Sequence, residues 1–383
     1  IGVVTSIKNS DTVSKECKSN ISQDSMQELE VQLEDGTAAD AVHYRDTLPD
    51  VQAGDTVLLN TTAVDLGLGS GGVHFVHAIL SRRTGNRLPE SLEKASEGHL
   101  MKLRYTSLQR KILAAEEQLS GRQDVFSTDN QLDQMPVLIG ELHSMLPVAA
   151  LWLNRMKIHG RPCRFVYIMS DGGALPLAWS KHVKQLQKAD LLAGTVTYGQ
   201  AYGGEVETIN KFTALLAARH ILKADIVLVA MGPGIAGTGT DLGHSSMEVG
   251  ELINAASILG GTPILIPRIS FADARPRHYG ISHHTLTALS VTALRPAFIP
   301  LPANLPASHS RTINEQLELA SIQSRHQISY SNQITIAEVM ELCAAYPVPL
   351  TTMGRQVHED PYFFLSVCCA AQAAADCMLQ IAK

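Results

Sequence analysis

Ile226-Val227-Leu228-Val229-Ala230-Met231-Gly232-Pro233-Gly234-Ile235-Ala236-Gly237 is the stretch on which the fold turns. Six apolar residues without a polar break fit a strand buried on both faces of a parallel sheet, and the glycines after them end it in a tight loop. The same order of apolar run, Gly-rich or charged loop and helical stretch recurs along the chain. Further strands are expected at Pro136–Gly140, Arg164–Met169, Thr195–Tyr198 and Pro263–Ile269. Helices are expected at Leu146–Lys157, Leu175–Lys188, Glu207–Leu222, Met247–Leu259 and Thr285–Leu294. Right-handed crossovers then bring the five loops to one sheet edge, where open α/β sheets bind their ligands. The fold class is α/β, a mostly parallel, Rossmann-like sheet flanked by helices and preceded by a small all-β barrel.

The barrel is read from residues 1–80. Gly2-Val3-Val4, Leu29–Leu33, Thr56–Leu59 and Val73–Val76 are short β-branched runs, with turns at Glu34-Asp35-Gly36 and Ala53-Gly54-Asp55. This segment holds twelve acidic residues against four basic ones. A lid or an assembly surface therefore suits it better than oligonucleotide binding. Leu66–Gly72 reads as a hairpin loop or as an arm toward the next domain. Residues 81–99, with Arg82, Arg83, Arg87, Pro89 and Lys94, read as a linker, and 100–383 as the α/β domain. Thr106–Leu119 has the spacing of an amphipathic helix. Beyond Arg295, Pro296, Pro300, Pro302 and Pro306 mark an irregular excursion. A helix at Ile313–Ser321, a strand at Gln327–Tyr330 and helices at 335–346 and 361–382 follow.

With 383 residues, 45% hydrophobic, the chain can build more than one core, while 5% aromatics and 28 glycines describe a loop-rich α/β protein. A net charge of −6 disfavours a nucleic-acid partner. Six cysteines without metal-finger or C-x-x-C spacing suit a reducing cytoplasm. The chain opens at Ile1 without a signal-peptide core, which leaves secretion unsupported. Pro361–Ala382 is apolar enough to raise the question of a membrane, but Gln372, Asp376 and Gln380 interrupt it. It is read as a buried terminal helix capped by Asp360, with no membrane partner; a homo-oligomer is left open.

Several loops carry groups that can do chemistry. Gly232 through Gly237 has the G-x-G-x-x-G spacing of a dinucleotide site, yet loop composition continues through Thr238, Gly239, Thr240, Asp241, Leu242 and Gly243. Arg268 also stands where an acidic ribose partner would be needed, so a nicotinamide cofactor is disfavoured. The loop reads either as amides and hydroxyls around an anion or as a turn that needs glycine. Asp171, in Ser170-Asp171-Gly172-Gly173, is a helix cap or a cleft carboxylate. Arg275, Arg277 and His278, then His283 and His284, crowd one loop with donors, and Arg268 adds a further guanidinium. Adjacent on a helix, His283 and His284 are expected to diverge, so that at most one joins a given ligand set. His143 follows the first strand of the domain. A mixed metal set of His143, Asp171, Asp273, His278 and His283 can be drawn, but no local spacing supports it, and cofactor and metal stay open. Phosphate-loop, nucleophile-elbow and H-E-x-x-H motifs are missing, and Thr351–Arg355 is a further polar turn.

Read in order, these phrases resemble a bacterial family known as domain of unknown function 3866. The matching residues are Leu142–Pro147, Ser170–Leu177, Ala230–Gly234, Gly237–Thr240, Ile269–Asp273, Arg277-His278 and Ser282-His283-His284. The likeness extends to Asn60–Ala63 and Met101–Tyr105. It implies no reaction, substrate or cofactor, and carries no catalytic residue with it.

The residues themselves suggest an enzyme of transferase or hydrolase type acting on a small anionic substrate, phosphorylated or carboxylated. Gly172, Gly173, Gly232, Gly234, Gly237, Thr238, Gly239 and Thr240 would hold the anion, with Ser144, Gln200, Gly204 and His283 beside it. Arg268, Arg275 and Arg277 would neutralise its charge. His143 or His278 would move the proton, oriented by Asp171 or Asp273. The alternative is a non-catalytic nucleotide- or metabolite-binding module reporting through the acidic barrel.

Overall fold

The computed structural model describes residues 1–8, 25–45, 48–67, 72–81, 98–128, 130–158 and 160–381. The expected linker from 82 to 97, Cys17 and the tip of the Leu66–Gly72 loop lie outside them. Two compact units form, Ile1–Ile112 and Leu113–Lys383.

In the first unit, β1 (Gly2–Ile7), β2 (Met26–Leu33), β3 (Ala38–Tyr44), β4 (Thr56–Asn60) and β5 (His74–Ser81) close a barrel in the order β1-β2-β3-β5-β4. Alternation drives it, since Val4, Leu29, Val31, Ala41 and Val57 point inward and are almost wholly buried. Register shifts in β1 and β4 bend the strands enough to close the ring. Gln27 ties Val51 to the wall by bonding both its N–H and its C=O, at 2.8 and 3.0 Å.

The helix expected at Thr106–Leu119 is not there. Arg110–Ile112 pairs with Leu100–Lys102 as a hairpin, and Gln118–Ser120 makes one 3-10 turn. Leu103 and Tyr105 adopt positive φ, Leu108 and Leu119 are exposed, and Ala114 instead bridges to Glu207. Strand pairing outweighs the helical spacing of the apolar residues.

The second unit is built on eight strands, parallel throughout: β6 (Pro136–Ile139), β7 (Phe165–Ser170), β8 (Gly194–Thr197), β9 (Val206–Glu207), β10 (Ile226–Met231), β11 (Thr262–Leu265), β12 (Phe298–Pro302) and β13 (Gln327–Ser331). Their order is β9-β8-β7-β10-β6-β11-β12-β13. Strand residues alternate between two cores. Phe165, Tyr167 and Met169 pack with helices Met145–Asn154, Lys181–Lys188 and Pro361–Ile381. Val166 and Ile168 pack with helices Lys211–Leu216, Glu248–Ile258 and Ala307–Leu319 on the other face.

The proline-marked excursion after Arg295 is in fact β12. Its ladder to β11 holds only the Phe298–Ile264 pair, while all five residues pair with β13. Pro300 and Pro302 therefore forgo no partner on the β11 side. Helix Pro361–Ile381 is long and apolar enough to cross a membrane, but 67% of its apolar window is buried, and Trp152 Nε1 donates to Gln372 Oε1 at 3.0 Å. It is a core helix. The Asp360 carboxylate, expected to cap it, accepts from Ser270 and Arg355 instead.

Phe364 is wholly buried where this helix meets the sheet. Phe364→Ala should lower stability by about 3–5 kcal/mol, read as a shift of the urea midpoint of the second unit. An unchanged midpoint would show that the helix does not carry this core.

Candidate functional site

Strand order places the site. The chain runs from β6 outward to β7, β8 and β9, then returns to insert β10 between β7 and β6 before crossing to β11. Loops leaving β6 and β7 turn to one face, and those leaving β10 and β11 to the other. A crevice opens where neighbouring loops part in this way.

The glycines bring two of these loops into contact. A Cβ on Gly173 would lie 2.5 Å from the Gly232 carbonyl oxygen, and one on Gly232 would lie 2.2 Å from that of Ala174. Ala174 N–H donates to the Pro233 carbonyl at 3.1 Å. Gly173 and Gly232 thus form a backbone-on-backbone seam, Gly172 faces the Glu248 and Met231 side chains, and Gly234 and Gly239 take positive φ. Beyond it, Gly237 bridges to His244, the Thr238 hydroxyl donates to the Gly243 carbonyl, and the Thr240 hydroxyl accepts from Gly243 N–H. These two hydroxyls fasten their own loop. The chain enters the helix only after Ser245–Met247, as its composition indicated and unlike a dinucleotide fingerprint.

His143 belongs to the structural core. Its Nδ1 lies 3.1 Å from the Tyr167 hydroxyl and its Nε2 2.6 Å from the Ser180 hydroxyl. Tyr167 donates onward to the carbonyls of Ala230 and Met231, and Ser180 caps the next helix by accepting from Val183 N–H. Burial holds the imidazole neutral, with a pKa pulled down to about 3. Ser144 occupies a helix N-cap position without a side-chain cap bond. Asp171 does not cap a helix either; exposed, it accepts from Gln200 N–H at 3.0 Å. Gly204 N–H donates to the Thr197 hydroxyl.

Asp171 lines a cleft of about 500 Å³ with Tyr198, Asn210, Lys211, Glu248 and Glu251. Glu248 accepts from Ser170 and Tyr198 at 2.6 and 2.5 Å, and Lys211 pairs with Glu251. Three carboxylates against one ammonium make this cleft acidic.

The guanidinium groups surround Asp273. Arg275 donates to both its oxygens at 2.9 and 2.7 Å, Arg355 reaches it at 3.3 Å and Arg268 at 3.7 Å. The Arg275 hydrogen bonds hold the Asp273 carboxyl far below the ordinary range. Asp273 anchors cations rather than accepting protons. The mixed set of His143, Asp171, Asp273, His278 and His283 does not assemble, because the first three are committed elsewhere.

What does assemble lies at the ends of β6, β10 and β11. His244 closes the glycine loop, and His283 and His284 begin a helix capped by Ser282. The two neighbouring histidines converge instead of diverging, with ring centroids 4.4 Å apart. At a helix start, both rings reach the adjoining loop. His284 stacks on His244 at 4.0 Å, and one ring nitrogen from each of His244, His283 and His284 lies within 4.8 Å of the others. His278 sits 5.0 Å from both His283 and His284, its Nδ1 held 2.8 Å from the Ser282 hydroxyl. Glu141 is 2% exposed; its Oε1 accepts from Thr285, and its Oε2 lies 3.7 Å from His284 Nδ1. Burial is the main cause that lowers His278 to about 3 and His284 to about 2, helped by Arg268. Arg277, exposed beside Gly239, adds its charge to the field at His283.

A family model covers residues 40–371, which span every one of these groups. The chain belongs to the DUF3866 family. Its description is a protein of unknown function. No curated protein and no solved structure matches the chain.

In this DUF3866 member the sequence reading reached Arg268, Arg277, His278 and His283 but passed over Glu141, His244 and Glu248 and allowed at most one of His283 and His284 into a given ligand set. Following the glycine loop to its end at His244 would have found one of them. Glu141 is a lone acid directly after a wholly apolar strand, a signal as strong as that of His143.

Two outcomes check these assignments. Gly173→Ala should destabilise the fold by more than about 1 kcal/mol, because its Cβ meets backbone; an unshifted urea midpoint would refute the seam. Below about pH 6.5 the unfolded chain takes up a proton that folded His143 refuses. Stability should hold above that pH and fall by about 1.4 kcal/mol per unit for this residue down to about pH 3. A flat stability profile across that window would mean that His143 titrates normally.

Proposed function

We propose that the chain is an enzyme of hydrolase or transferase type that takes a small anionic substrate, phosphorylated or carboxylated, at the ends of β6, β10 and β11. One observation carries this reading. Glu141 Oε2, His244 Nδ1, His283 Nε2, His284 Nδ1 and a terminal nitrogen of Arg268 are all buried there without a hydrogen-bond partner. Leaving such an atom unmet costs about 1–3 kcal/mol, so native structures rarely group them without a ligand to satisfy them.

The field favours an anion. Arg268 and Arg275 act on His278, and Arg277 and Arg268 act on His283, each disfavouring a further positive charge. Arg277 has no ion-pair partner among the described residues and is the guanidinium free to grip the substrate. His278, neutral and held at Nδ1 by Ser282, offers Nε2 to take a proton from an attacking water or hydroxyl and return it to the leaving group. Burial is the main cause that depresses His278, with Arg268 and Arg275 next, and an anion held nearby raises it against these. The cysteines at 163, 343, 368, 369 and 377 are free thiols, which supports our placing the protein in the cytoplasm.

Calorimetry with inorganic phosphate and with acetate, and turnover of simple phosphate and carboxylate esters, test the reading. Arg277→Gln should weaken binding of one of these anions about tenfold or more. His278→Gln should keep that affinity and lower turnover by about 10²–10⁴. No anion bound, no ester turned over by the wild-type chain, or an unaffected His278→Gln would contradict it.

A further inference from the structure

We propose that His244, His283 and His284 form a binding site for one divalent transition-metal ion of the zinc type. The inference deepens the reading above: it rests on the same unpartnered ring nitrogens and names what fills the space between them. His244 Nε2 lies 3.0 Å from the Asp241 carbonyl, so it carries the proton and leaves Nδ1 as a lone pair, buried and without a partner. His283 Nε2 is likewise buried and unpartnered. The Glu141 carboxylate lies 3.7 Å from His284 Nδ1, beyond hydrogen-bond reach, and would become the outer partner that fixes the tautomer of a metal-bound imidazole only on a small inward shift.

Three nitrogen donors lie within 4.8 Å of one another, and metal–nitrogen distances of about 2.0–2.1 Å would require them to draw in to about 3.4 Å around a tetrahedral ion. Imidazoles alone suit Zn²⁺, Co²⁺, Ni²⁺ or Cu²⁺, whereas Mg²⁺ and Ca²⁺ call for oxygen ligands. Three protein ligands also leave a coordination position open, which distinguishes catalytic sites from closed structural ones. His244 and His284 stack nearly parallel at 15°, so one ring must tilt for both in-plane lone pairs to meet a single ion. Gly237 makes the room: a Cβ there would come within 3.3 Å of the His284 ring. Arg268 and Arg277 both oppose a cation at His283; Glu141 and Asp273 counter Arg268, and the anionic substrate proposed above would offset Arg277. His278 remains outside the set, its Nδ1 tied to Ser282.

The test is a titration of the full chain, stripped with a chelator, by zinc chloride alone and by cobalt chloride alone. The expected result is one equivalent of tightly bound Zn²⁺, and with Co²⁺ the intense visible bands of a four- or five-coordinate nitrogen site. His283→Ala, the least buried of the three, should weaken Zn²⁺ at least about 100-fold. His309→Ala, which stacks on Phe271 outside the cluster, should not. Absence of stoichiometric metal on the wild-type chain, the weak spectrum of an octahedral site, or unchanged affinity in folded His283→Ala would overturn the proposal. The wild-type cobalt spectrum decides even if His283→Ala does not fold. Because no anion is present, lost metal binding with phosphate binding intact would refute this inference alone, and the converse would refute only the functional reading.

Discussion

The architecture of the second unit depends on a constraint of handedness. Parallel strands must be joined by right-handed crossovers, so a chain that reverses its direction across the sheet must also change the face its helices cover. Insertion of β10 between β7 and β6 enforces that change at the middle of the sheet. Segments far apart in the chain, from Glu141 to His284, meet there because the connections have no other face to use. The acidic cleft lined by Asp171 and Glu248 and the histidine cluster flank the same turn, residues 244–248, from which His244 and Glu248 both come.

Within that crevice, charge is arranged by burial. Asp273 holds Arg275 and Arg355 close and leaves Arg268 at a longer distance, so most of the local guanidinium charge is fixed in an internal network. The histidines, surrounded by this network and by the close glycine seam, are driven to the neutral state. Neutral imidazoles with open lone pairs can bind a metal or take up a proton, whereas an imidazolium has no lone pair for either. Packing and electrostatics thus prepare the same chemical state.

Much of the fold was legible because local signals agree. Pro136–Ile139 and Ile226–Met231, buried throughout, are continuous apolar runs followed by glycine, whereas the equally buried Gly194–Thr197 carries two threonines. The acidic barrel followed from alternation. Legibility failed where pairing outweighed local pattern: Pro300 and Pro302 disguised β12, and Thr106–Leu119 spaced its leucines like a helix but pairs as a hairpin. The site was half legible. Arginines and histidines after β11 could be picked out by their density, but whether a polar side chain faces a ligand or its own loop depends on partners distant in sequence. Thr238 and Thr240 fasten their own turn, His143 is closed by Tyr167 and Ser180, and His244 and Glu141 gain their meaning only from His284.

The central claim is that one buried, positively biased pocket holds His278 and His284 neutral and pulls His283 below the ordinary imidazole range. Long-range proton–nitrogen correlation spectra of histidine-labelled protein report the protonation and tautomer of each ring directly. Across about pH 5 to 8, the account predicts neutral imidazoles in fixed tautomers for His278 and His284. Imidazolium signals from these rings, or independent titration of each near its ordinary pKa of 6.5, would contradict it.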